Sequence, residues 1–83
     1  MDKGKKYFTV FVCNIPPQAE PNWLGKNFGN TMGFCKALLA QRPNRRGRRY
    51  GFIYYYSHST MVKVIQSFNG YYRGNYKLFV TQA

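Results

Sequence analysis

Bulky apolar residues alternate with other positions through Tyr7 to Cys13 (YFTVFVC), a run rich in β-formers, and the pattern predicts a first strand there. Asn14-Ile15-Pro16-Pro17 ends it, because proline cannot extend a sheet ladder. Pro21 suits the first position of a helix, and Trp23, Leu24 and Phe28 recur at helical spacing, so a short helix is expected from about Pro21 to Gly29. Gly25 and Gly29 weaken it, each costing roughly 1 kcal/mol relative to alanine. Phe34 to Gln41 fits helix or strand by pattern alone. Its bounds, a Met32-Gly33 turn before and Arg42-Pro43 after, favour a strand. Arg42 to Arg49 (RPNRRGRR) has no apolar period and reads as a flexible loop, followed by the strongly β-forming run Tyr50 to Tyr56. Ser57 is placed to cap a second helix whose Met61, Val64, Ile65 and Phe68 share one face, and Asn69-Gly70 ends it. Tyr71 to Asn75 is then a connection, and Tyr76 to Gln82 a last strand.

The predicted order is β-α-β-β-α-β, the α+β, ferredoxin-like arrangement. Two helices cover one face of a four-stranded antiparallel sheet and leave the other face bare. Strand periodicity then sorts the side chains. Gly51, Ile53 and Tyr55 of the third strand turn to the helices, as do Val10, Val12, Leu78 and Val80 of the first and last. Phe11, Tyr50, Phe52, Tyr54 and Phe79 turn to the bare face. Aromatic rings left on an open face call for a partner.

Charge narrows what that partner can be. Thirteen Lys and Arg stand against Asp2 and Glu20 alone, a formal net charge of +11, so most cations have no acidic partner within the chain. A polyanion is the expected ligand, nucleic acid before an anionic membrane surface. Arg42, Arg45, Arg46, Arg48 and Arg49 crowd into the single loop beside the ring-bearing face. They are candidate phosphate contacts, although such a cluster also reads as a solvated loop or a nuclear-localisation signal. Hydrophobic residues at 45% exclude a disordered chain, and 83 residues allow one small domain, taken as 7–83 behind a flexible basic lead, 1–6. Cys13 and Cys35 make no disulfide framework and read as reduced thiols, which with the absence of a signal peptide or spanning stretch points to an intracellular protein, nuclear or cytoplasmic. The positions of the outer strands near the chain ends suggest a domain taken from something longer.

Two motifs carry a family resemblance. Arg48-Arg49-Tyr50-Gly51-Phe52-Ile53-Tyr54-Tyr55 resembles the octapeptide of the RNA-recognition motif at every position but the second, where Arg49 replaces a glycine. Val10-Phe11-Val12-Cys13-Asn14-Ile15 resembles the companion hexapeptide throughout, and Met61 to Gly70 fits the family's second helix with its closing Asn-Gly. The resemblance implies single-stranded RNA binding. Phe11 and Tyr50 would stack bases, Phe52 would pack against or between sugars, and Arg48 would hold a phosphate, with Tyr54, Phe79 and Asn14 as further candidates.

Other classes fit less well. His58 is the one histidine, the two acids are isolated, and no metal-ligand cluster is visible, so neither catalysis nor a cofactor is expected. A protein-interaction module, engaged through the helices or through the sheet, is the main rival. The aromatic stacking positions and acid-free helices favour RNA over it. Single-stranded DNA stays open, because contacts to the 2′-hydroxyl cannot be read from sequence. A monomer that does not bind membranes is expected.

Overall fold

A computed structural model of the chain describes residues 7–83, and the basic lead expected at 1–6 lies outside the described residues. The elements are β1 (Phe8–Ile15), α1 (Trp23–Phe28), β2 (Phe34–Leu39), β3 (Arg49–Tyr55), α2 (His58–Phe68), β4 (Tyr72–Arg73), β5 (Tyr76–Lys77) and β6 (Phe79–Gln82). The main sheet is antiparallel with order β2-β3-β1-β6, so the two motif-bearing strands lie side by side at its centre. Both helices pack on one face, giving the predicted ferredoxin-like fold.

The core follows the alternation of the strands. Val10, Val12, Ile15, Ile53, Tyr55, Leu78 and Val80 point from the sheet into a cluster completed by Leu24 and Phe28 of α1 and Met61 and Val64 of α2. Ser57 caps α2, its hydroxyl accepting from the Thr60 N–H at 3.3 Å. At the other end Asn69 Oδ1 accepts from the Val80 N–H at 3.0 Å, tying the helix exit to β6.

Several boundaries differ from the sequence expectation, for local reasons. β1 does not stop at Cys13. It continues to Ile15 through a bulge at Asn14, which takes φ 64, a left-handed value asparagine tolerates better than most residues. α1 is shorter than Pro21 to Gly29: the stretch before Trp23 is a turn in which the Glu20 carbonyl accepts from the Trp23 N–H, and Asn22 at the cap position makes no side-chain bond to it. β2 ends at Leu39 and β3 begins at Arg49, one residue earlier than expected. The segment from Tyr71 to Asn75 is more than a connection, since Tyr72–Arg73 pairs with Tyr76–Lys77 in a small hairpin. Gly74 at φ 63 occupies the turn position where a type II′ hairpin requires glycine. The expected last strand is thereby split at Leu78, whose N–H donates to the Tyr71 carbonyl and whose carbonyl accepts from Gly70.

Tyr55 gives the core a polar flaw. Its side chain is fully buried and its hydroxyl has no hydrogen-bond partner. The nearby Thr31 hydroxyl is committed to the Phe28 carbonyl at 2.7 Å. Burial raises the phenol above its ordinary value of 10.0, and Thr31 offsets part of that rise. Above pH 10 the unfolded phenol therefore releases its proton while the folded one holds it, and stability falls as pH increases. Tyr55→Phe is expected to leave stability unchanged or raise it by up to about 1 kcal/mol at neutral pH, and to make the alkaline loss shallower. Thermal melts of both proteins across pH 7 to about 11 check this. A large drop in melting temperature at pH 7 would show that the hydroxyl is satisfied after all.

Candidate nucleic-acid interface

The face opposite the helices is organised in cross-strand rows, because residues paired across an antiparallel ladder share a side. The central row is Leu38, Phe52, Phe11 and Thr81, running from β2 to β6. On one side of it lies the row Lys36, Tyr54 and Thr9, on the other Tyr50, Cys13 and Phe79. Phe11, Tyr50 and Phe52 therefore meet at the middle of the sheet, with ring centroids 5.5 Å apart for Phe11–Phe52, 5.9 Å for Phe11–Tyr50 and 6.1 Å for Tyr50–Phe52. All three are half-buried, held by one another and still open to solvent. Phe79 is 43% exposed at the edge.

Positive charge stands at both ends of this strip. The Arg48 guanidinium carbon lies 6.0 Å from the Phe79 ring centre. At the far end the Lys36 ammonium lies 5.2 Å from the Tyr54 ring and 5.9 Å from Tyr7, and Tyr7 itself packs on Tyr54 and Tyr56. Sequence reading missed Lys36 and Tyr7. Lys36 could have been found, as it is the only cation of β2 and falls on the outward parity of that strand.

The basic loop is more ordered than its composition suggests. Asn44 organises it: the side-chain Oδ1 accepts from the N–H groups of Arg46 and Arg48 at 2.9 and 3.0 Å. The backbone closes the same turn through Asn44 N–H to the Arg48 carbonyl and Gly47 N–H to the Asn44 carbonyl. The expected flexible clamp is therefore a hydrogen-bonded turn, and Pro43-Asn44 with Gly47 was its sequence signal. The turn leans over the sheet, with Asn44 Nδ2 3.7 Å from the Cys13 sulfur, which accounts for the burial of Cys13 on an otherwise open face.

The predicted site residues do not all converge. Phe11, Tyr50, Phe52, Tyr54 and Phe79 share the open face. Arg42, Arg45, Arg46 and Arg48 are exposed on or beside the turn. Arg49 shares strand parity with Gly51 and turns away, its Nη1 donating to the Pro17 carbonyl at 2.7 Å. Asn14 donates from Nδ2 to the Lys77 carbonyl at 2.9 Å and fixes the start of the last strand region against the bulge. On the helix side a shallow hollow is lined by Trp23, Lys26 and Arg73. His58, in the first turn of α2, packs edge-on against Phe8 at 5.4 Å. Among the described residues no group of three His, Cys, Asp or Glu could hold a metal, and no helix is long and apolar enough to cross a membrane.

The family model for the RNA recognition motif matches residues 10–78, from the middle of β1 to the residue before β6. The chain belongs to the RNA recognition motif family. That family is a nucleic-acid-binding, non-catalytic domain class, which makes RNA binding in general the function class of this domain. Solved RRM structures superpose closely on it. The second RRM domain of the yeast poly(U)-binding protein matches with TM-score 0.77 and 18% identity over 92% of this chain and 93% of that one. The MEC-8 C-terminal RRM domain bound to AGCACA gives 0.77 and 23% over 93% and 90%. The Rna15 RRM with bound RNA (GU) gives 0.73 and 18% over 90% and 81%. At such identities the likeness establishes the shared fold. No curated protein sequence matches the chain.

Proposed function

We propose that this RRM domain binds single-stranded RNA by stacking bases on Phe11, Tyr50 and Phe52 while exposed arginines of the 40–48 loop hold the phosphate backbone. The observation that carries the reading is the three-ring cluster at the centre of the uncovered sheet face, with cations at both ends. Unpaired bases offer flat apolar faces to such rings, whereas paired bases hide theirs. Of the similar solved structures, the Rna15 RRM has bound RNA (GU) and the MEC-8 RRM domain is bound to AGCACA. Tyr54 and Phe79 extend the platform along the two flanking rows. Asn14 and Arg49 serve instead to hold the sheet and the β1–α1 connection in place. The domain acts as a monomer, and its two free thiols suit the reducing interior of the cell, in nucleus or cytoplasm.

Affinity in the micromolar range for short single strands follows from two or three stacked bases and a basic loop. With Arg49 turned away, about four loop cations are available, so log affinity should fall against log salt with a slope near −3, using the single-strand coefficient. Arg42→Ala with Arg45→Ala should flatten the slope by about 1.4. Titration of labelled RNA at several salt concentrations reads both values. A slope near zero in the unmodified protein would remove the phosphate clamp. NMR shift mapping with the same RNA tests the platform directly: changes confined to the helices and the Trp23–Arg73 hollow would replace this reading with a protein-interaction module.

A further inference from the structure

Between the Asn44 turn and the edge of the sheet lies an open hollow of about 460 Å³, lined by Phe11, Cys13, Asn44, Arg46, Arg48 and Phe79. Its volume is in the range that holds a small ligand, and its floor is two phenyl rings and a thiol. We propose that this hollow reads one base of the bound strand and selects guanine, with cytosine next and adenine and uracil disfavoured. The proposal rests on the RNA reading above and adds a specificity to it.

The selection follows from the hydrogen-bond inventory of the rim. Asn44 is the one lining side chain with a carbonyl acceptor, and both lone-pair directions of that oxygen are occupied by the Arg46 and Arg48 backbone N–H groups. Its amide nitrogen faces the Cys13 sulfur. Arg46 and Arg48 offer guanidinium donors only, and the thiol is a weak acceptor. The lining side chains therefore present donors with almost nothing to receive a donor from the base. Guanine brings two adjacent acceptors, O6 and N7, which a guanidinium fork meets together. Cytosine brings O2 and N3, also adjacent, on the Watson–Crick edge that a single strand leaves open. Adenine and uracil offer no two adjacent acceptors, so one arm of the fork faces an N–H or C–H and its desolvation goes uncompensated. The turn that presents the arginines is already closed by its own hydrogen bonds, so little ordering is left to be done on binding.

The test uses a set of heptanucleotide RNAs of mixed adenine and uracil in which G, U, A or C replaces each position in turn, titrated against the whole 83-residue chain. At one position guanine should bind roughly ten-fold or more tightly than adenine or uracil. Replacing Arg46→Lys and Arg48→Lys together keeps the charge but removes the planar fork. The preference should then shrink to within about two-fold while the salt slope stays the same. Equal binding of all four bases at every position, or a guanine preference that survives the lysine variant, overturns the proposal and leaves the RNA reading intact. Failure to bind any member of the set overturns both.

Discussion

Replacing Phe11, Tyr50 and Phe52 together by alanine is expected to weaken single-stranded RNA binding by about 10³-fold, taking a micromolar complex to about millimolar. Alanine in place of an aromatic platform removes roughly 1–3 kcal/mol per stacked base, and the central rings offer room for two or three bases. The expected loss exceeds what any single loop arginine can supply, because each phosphate contact is screened and adds to affinity mainly at low salt. The salt slope should survive in the triple variant, since the arginines of the loop are untouched. That pairing of results, lost affinity with kept salt dependence, separates stacking from charge. Unchanged affinity would assign binding to the loop alone.

The variant has to remain folded for the comparison to mean anything, and the structure gives reasons to expect it. The three rings lie on the face away from the core cluster and are all half-exposed. They do touch one another at 5.5 to 6.1 Å, so removing all three forfeits ring–ring contacts worth about 0.5–1.5 kcal/mol apiece. Circular dichroism and a thermal melt should show an intact fold with a lowered midpoint. Tyr50→Phe serves as the conservative control: it keeps the stacking face and should keep most of the affinity.

The element order and the platform could be read from the sequence because both depend on period. Alternation in β1 and β3 fixed which side chains face out, and neither strand shifts by an odd number of residues within the paired ring positions, so Phe11 and Phe52 meet as parity requires. The same rule, applied one residue further back, would have placed Arg49 on the helix side with Gly51. Its charge suggested a phosphate contact, whereas its parity puts it on the helix side, where its Nη1 donates to the Pro17 carbonyl. What periodicity could not supply was hydrogen bonding between distant segments. The bulge at Asn14 depends on Lys77, far away in the chain, and the split of the last strand depends on a hairpin of only two residues per arm. Nor does composition reveal order in a loop. An arginine-rich stretch repels itself, yet one asparagine that accepts two backbone N–H groups is enough to set its shape.

Gly51→Val should unfold a large fraction of the domain, costing on the order of 3 kcal/mol or more. Gly51 sits at the centre of β3 on the helix side, opposite the rings, with β2 alongside and α1 above. A β-carbon there would stand 2.5 Å from Leu24 Cδ1 and 2.6 Å from the Leu38 carbonyl oxygen. Leu24 could change rotamer, though it is buried among tightly packed neighbours. The carbonyl cannot move without loosening the β2–β3 ladder, and valine adds two further methyl groups to the same space. Small domains have only a modest margin of stability, so a penalty of this size is a large share of the total. The effect should also be more than loss of stability. Displacing β2 moves Leu38 and Lys36 relative to Phe52 and Tyr54, since those pairs share rows across the ladder. Protein that remains folded should therefore bind RNA less well than its folded fraction predicts. Urea titration gives the first quantity, and RNA titration corrected for folded fraction gives the second. A variant as stable as the parent would mean that α1 and the β2–β3 pair sit farther apart at Gly51 than the structure places them, and that the small residue between Tyr50 and Phe52 is not there for packing.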